Sequence, residues 1–166
     1  MRHQRLFPCA FAAIILILPI LTAAADDESW NDNIAWLQWD EAVARAKDEG
    51  KPILLLIHRK WCGACKALRP KFAASKEIEA LSESLLMVQS SDEKELTEDK
   101  FSPDGGYVPR ILFFDPEGEH LKDIVQREDK YKYFHHDPSS VVKAMKEAVY
   151  AVAATATATE AGKEEL

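Results

Sequence analysis

The chain predicts a single α/β domain built on a strand-helix-strand unit, and three observations carry that prediction. Ile53-Leu54-Leu55-Leu56-Ile57 is a continuous apolar run of strand length, the pattern of a central strand covered on both faces. The residues from Gly63 carry Leu68 and Phe72 at i, i+4 spacing, the stripe of a helix turned toward a core. Leu85-Leu86-Met87-Val88 is a second buried run, so strand, helix and strand form a right-handed parallel unit. At 166 residues the chain can fill one hydrophobic core without disulfide staples, and no second domain is expected.

Residues 1–25 read as a secretory signal peptide removed from the mature protein. Arg2 and Arg5 make a basic start, Ala10 to Leu21 is apolar apart from Pro19, and Ala23-Ala24-Ala25 fits a small-residue cleavage site. The apolar run is too short for a stable membrane span, and Cys9 is lost with the leader. The domain then occupies 26–152. Asp26 to Asn33 is polar and acidic and reads as a loose arm, and Ile34 to Trp39 has the content of a first strand. Asp40 suits an N-cap for a short helix over Glu41 to Glu49, closed by a left-handed Gly50. Pro52 starts the central strand, and Pro70 interrupts the ladder of the helix that follows it.

Ser90 to Gly106 reads as an irregular connection with about one helical turn. Ile111-Leu112-Phe113-Phe114 is a third buried strand, and Pro116-Glu117-Gly118-Glu119 is turn chemistry leading to a shorter strand near Ile124-Val125. Residues 127–137 mix charges with Tyr131, Tyr133 and Phe134, either a partner-facing flap or, the favoured reading, packing for the final helix. That helix starts near Pro138 or Ser139, with Val141, Met145, Ala148, Val149 and Val152 as its buried stripe. Residues 153–166 read as a flexible tail rich in alanine and threonine. It ends in Lys163-Glu164-Glu165-Leu166, which resembles the tetrapeptides that return proteins to the endoplasmic reticulum. No internal repeat is apparent.

The chemistry concentrates in Trp61-Cys62-Gly63-Ala64-Cys65, where the central strand gives way to the helix. Unpaired backbone N–H groups and the positive end of a helix dipole favour a thiolate over a thiol at that position. Residues i and i+3 of a first helical turn lie roughly 5 Å apart at Cα, within reach of a disulfide. Cys62 is therefore expected to be open to a partner and to attack, with Gly63 and Ala64 too small to obstruct it, and Cys65 to resolve. A purely structural crosslink is a weak alternative, because closing so short a loop restricts the unfolded chain by only about 2 kcal/mol, against about 4.7 for a long one. A zinc site is another, because C-x-x-C is half of a tetrahedral set, but no further mature cysteine supplies the other half.

The chain carries 21 Lys+Arg against 28 Asp+Glu, a net charge of −7 that becomes −9 without Arg2 and Arg5. So acidic a surface argues against nucleic acid and anionic membrane as partners. Arg59, Lys60, Lys66 and Arg69 reverse the sign locally, as a solvated helix face or as stabilisers of the thiolate.

Trp61-Cys62-Gly63-Ala64-Cys65-Lys66 with Pro70, and Tyr107-Val108-Pro109-Arg110-Ile111-Leu112-Phe113, resemble the corresponding motifs of thioredoxin-fold proteins. The resemblance covers about residues 30 to 150 and is nearest to the small single-domain members of the endoplasmic reticulum related to the anterior gradient proteins. It implies a central mixed β-sheet flanked by helices and a cis Val108-Pro109 bond. Trp61, Gly63, Ala64, Val108 and Pro109 are then expected to bind substrate beside catalytic Cys62 and Cys65, with Val108 backbone groups pairing with an extended peptide. The implied function is thiol-disulfide exchange with secretory-pathway clients in the lumen of the endoplasmic reticulum. Glutathione is the expected redox co-substrate, no cofactor or metal is bound, and a retrieval receptor reads the tail. The alternative is a client-binding, chaperone-like module of the anterior gradient type with minor redox activity. One departure stands out: where many such enzymes bury an acid six residues before the first cysteine, this chain has Leu56.

Overall fold

The computed structural model describes residues 29–91 and 96–161, so the expected leader and terminal tetrapeptide lie outside the described residues. The elements run β1 (Trp36–Leu37), α1 (Trp39–Glu49), β2 (Ile53–Ile57), α2 (Gly63–Ala73), α3 (Lys76–Ser82), β3 (Leu86–Ser90), a 3-10 turn at Asp99–Phe101, β4 (Arg110–Phe114) and α4 (Pro138–Ala161). The four strands form one mixed sheet in the order β1-β3-β2-β4. β3 pairs in parallel with β1 and β2, and β4 is antiparallel to β2. Among the described residues no helix is long and apolar enough to cross a membrane.

Successive residues of a strand face opposite sides of its sheet, so an all-apolar β2 needs cover on both. Leu54 and Leu56 enter one layer with Leu68 and Phe72 of α2, Ile78 of α3 and Val141, Met145 and Ala148 of α4. Ile53, Leu55 and Ile57 enter the other, with Ala42 and Ala46 of α1, Phe101 and Tyr133.

Several local expectations change. The described part of the arm before β1 is not loose: Trp30 is only 1% exposed and sets its ring edge-on against Phe72, with centroids 5.4 Å apart. Asn31 Nδ2 donates to the Ala73 carbonyl and to the Glu79 carboxylate, at 3.1 and 3.3 Å. An indole of this size contributes roughly 4 to 6 kcal/mol on burial, enough to offset the ordering of two or three residues. The first strand shrinks to Trp36–Leu37, because Trp39 turns into α1 and packs edge-on against Phe101 and Phe114. Gln38, not Asp40, is the N-cap, and Asp40 and Glu41 sit in the first turn near the positive end of the dipole. Gly50 closes α1 at φ 63°, as expected.

An additional helix, α3, begins at Ser75, whose Oγ accepts the Ile78 N–H, and it buries Ile78. No strand forms at Ile124–Val125. The Asp115 carboxylate instead accepts the N–H groups of Glu117 and Glu119, a single bridge joins Phe114 to His120, and the chain curls onward with Ile124 N–H donating to the Leu121 carbonyl. α4 continues to Ala161 where a flexible tail from residue 153 was expected. Alanine is the strongest helix former, and the Thr155 and Thr157 hydroxyls donate to the carbonyls four residues back, at 3.0 Å each.

Candidate active site

β2 ends at Ile57, and the chain leaves the sheet through His58, whose N–H donates to the Ser90 carbonyl at 2.9 Å. A turn closed by Cys62 N–H on the Arg59 carbonyl then presents Cys62 as the N-cap of α2. Its backbone is extended, with φ −73° and ψ 112°, and its Sγ accepts the Cys65 N–H at 3.0 Å. Sulfur thus fills the place that serine or aspartate oxygen takes at other helix starts. Cys62 and Cys65 are joined in a disulfide with Cα atoms 5.3 Å apart, in line with the distance expected from the spacing.

The expectation of an open Cys62 does not hold for this oxidised pair. Cys62 is 4% exposed and Cys65 3%, and both belong to the layer formed with Leu56 and Leu68. Bonded to each other and set against the Val108–Pro109 segment, the sulfurs are covered, whereas Trp61, at 73% exposed, Gly63 and Ala64 remain on the surface around them. A Cβ built at Gly63 would meet nothing within 4 Å, so the glycine leaves space over the pair rather than avoiding a clash.

Val108–Pro109 is a cis peptide, and the Val108 carbonyl oxygen lies 3.5 Å from Cys62 Sγ. Two side chains with no role in the sequence-based site hold this segment. Buried Arg110 donates from Nε to the Phe101 carbonyl and from Nη2 to Ser102 Oγ, at 3.2 Å each, and from Nη1 to the Tyr107 carbonyl. The Tyr107 hydroxyl donates to the Asp104 carboxylate at 2.8 Å and accepts the Tyr133 N–H at 3.0 Å, while Asp104 also accepts the Lys132 N–H. Burial and the adjacent Asp104 carboxylate push the Tyr107 phenol well above its usual range, so it stays protonated and keeps donating. Tyr107 and Arg110 flank Val108-Pro109 in sequence, which was the available signal for them; Lys132 and Tyr133 come close only through the fold.

Leu56, fully buried, faces the same layer as Cys65, and among the described residues no aspartate or glutamate is buried. Of the basic residues near the pair, Arg59 donates from Nη1 to the His58 carbonyl at 2.8 Å, and Lys60 and Lys66 are exposed.

Residues 35–116 match the family described as thioredoxin-like. Anterior gradient protein 3 of Xenopus tropicalis is 35% identical over 125 residues, 73% of this chain and 75% of that protein. The human anterior gradient protein 2 homolog is 35% identical over 123 residues, 72% of this chain and 69% of its own. Among solved structures, that of a DsbH oxidoreductase superposes with a TM-score of 0.53 at 20% identity, covering 77% of this chain and 96% of its own, which supports the fold. A disulfide-forming cysteine pair placed this way in this fold has thiol-disulfide oxidoreductase chemistry. With relatives of this identity matching more than two thirds of both chains, the protein belongs to the anterior gradient family of thioredoxin-fold proteins.

Proposed function

We propose that the protein exchanges disulfides with client proteins in the lumen of the endoplasmic reticulum, with glutathione as its redox co-substrate. The observation that carries this reading is Cys62 Sγ at the N-cap of α2, 3.0 Å from the Cys65 N–H and disulfide-bonded to Cys65. In the reduced protein the same N–H and helix end favour the Cys62 thiolate. The thiolate attacks one sulfur of a client disulfide, forming a mixed disulfide and expelling the other client sulfur as thiolate. Cys65 thiolate then attacks Cys62 Sγ, re-forming the intramolecular disulfide and releasing the second client thiolate. The client gains two electrons, and two molecules of glutathione return them to the protein as they become glutathione disulfide. Run in reverse, the oxidised pair donates its disulfide to a reduced client.

Trp61, Gly63, Ala64 and half-buried Val108 form the client-facing surface in this reading, with Val108 pairing to an extended peptide and Pro109, buried behind it and lacking an N–H, ending the pairing. The basic leader and the Lys163–Leu166 tail support the lumenal location, the tail as the part read by a retrieval receptor. Trapping tests the core of the proposal. Cys65→Ser is expected to accumulate mixed disulfides through Cys62, Cys62→Ala to abolish turnover, and the reactive thiol to alkylate with a pKa below the free-cysteine value of about 8.5. Client complexes that form without any covalent link to Cys62 would favour a binding module instead.

A further inference from the structure

We propose that the cleft between Tyr107, Val108, Arg127, Tyr131 and Phe134 is a side-chain pocket that selects disulfide clients bearing an aromatic residue close in sequence to the reacting cysteine. The inference rests on the assignment of Val108 to the client-facing surface and adds a specificity element to it.

The cleft has a volume of about 270 Å³, room for one large side chain rather than a whole small-molecule ligand. It adjoins the redox pair through a single residue, because Val108 lines the cleft while its carbonyl lies 3.5 Å from Cys62 Sγ. An extended peptide advances about 3.3 Å per residue. A client whose cysteine is at Cys62 therefore brings a side chain to the cleft within roughly one to three residues. The walls specify its chemistry: three are aromatic rings, and Tyr107 and Tyr131 already meet edge-on with centroids 4.9 Å apart. The cation in the lining, Arg127, sets its guanidinium 5.8 Å from the Phe134 ring. Such a pocket favours a further aromatic ring, through edge-to-face and cation–π contacts, over an aliphatic group.

The pocket is also built in advance. Tyr131 has φ 54°, a left-handed conformation that side chains other than glycine rarely adopt, and it is 46% exposed. Strain of this kind persists where neighbours fix the backbone. Here Phe134 N–H donates to the Tyr131 carbonyl at 3.0 Å, Lys132 N–H to Asp104 at 2.8 Å, and Gln126 N–H to the Lys132 carbonyl at 2.7 Å. The bonds that hold Tyr107 beside Val108 thus hold the opposite wall as well.

The test uses the full mature chain carrying Cys65→Ser and symmetrical disulfides of short peptides, with phenylalanine, aspartate or glycine placed one, two or three residues from the cysteine. Rates of mixed-disulfide formation are followed by intact mass. Phenylalanine at one position is expected to react about tenfold faster than glycine, the factor corresponding to about 1.4 kcal/mol. That ratio is expected to fall toward one in Phe134→Ala and in Tyr131→Gly, the second of which suits the positive φ. Equal rates at every position, a ratio that survives both substitutions, or a preference for aspartate would overturn the pocket alone. Failure of every peptide to form a mixed disulfide would overturn the underlying reading together with the pocket.

Discussion

Replacing Leu56 by glutamate tests how Cys65 loses its proton. Leu56 is fully buried on β2, opposite Gln89 on one side and Ile111 on the other, in the layer that contains Cys65 and Leu68. An acid there sits in a mainly apolar layer, so desolvation raises its pKa toward the working range, where a fraction stays ionised near neutral pH and can accept a proton. The loss of leucine packing and burial of a carboxyl together cost roughly 3 to 5 kcal/mol, large against a typical total of about 5 to 15 but compatible with a folded protein. Because the folded acid's pKa lies above the unfolded value of about 4.3, the cost is smallest below that pH and grows as pH rises toward the folded pKa. A positioned general base accelerates proton transfer by about 10² to 10⁴, so resolution of a Cys62 mixed disulfide is expected to speed up at least tenfold near neutral pH. Stopped-flow resolution alongside urea melts at several pH values separates the two effects. An unchanged or slower rate in a folded variant would refute the reasoning and show that deprotonation of Cys65 is already assisted by another group.

Burial pushes His135 down to about 4, so folding excludes a proton that the unfolded chain binds near 6.5. Stability is expected to be full above that value and to fall by roughly 3 kcal/mol as pH drops to 4, as read by urea melts, with His135→Gln flattening the acid limb; a flat profile in the wild type would contradict it. Trp30→Ala removes the indole seated on Phe72 and is expected to cost about 3 to 5 kcal/mol by denaturant midpoint, whereas a truly loose arm would register almost nothing. Arg110→Lys keeps the charge but loses the fork that reaches Phe101, Ser102 and Tyr107. A destabilisation of about 2 kcal/mol with several-fold slower mixed-disulfide formation is expected, and unchanged exchange kinetics would detach the segment's positioning from catalysis.

The parts legible in the sequence are those fixed by short-range pattern. Five consecutive apolar residues named β2, a glycine after an alanine-rich run marked the end of α1, and two cysteines at the start of a helix marked the redox pair. What escaped depends mostly on contacts between distant residues. Trp30 looks like part of a polar arm until Phe72 receives its ring, and Ile124 has strand composition but no neighbouring strand to pair with. α3 is the exception, because Ser75 with acids in the next turn is a local helix start that the capping pattern alone makes readable. Burial of Cys62 was hidden because the covering Val108–Pro109 segment arrives from another part of the chain, and Lys132 and Tyr133 reach Asp104 and Tyr107 only once the loops have folded.

The alternation along β2 has a practical corollary for protein engineering. Ile53, Leu55 and Ile57 lie on the far side of the sheet from the sulfurs, among Ala42, Ala46, Leu112 and Phe114. Repacking that side offers a thermostability dial separated from the redox centre by a full layer of backbone, whereas Leu54 and Leu56 share their compartment with both cysteines, so repacking there bears on the sulfurs' surroundings as well as on stability.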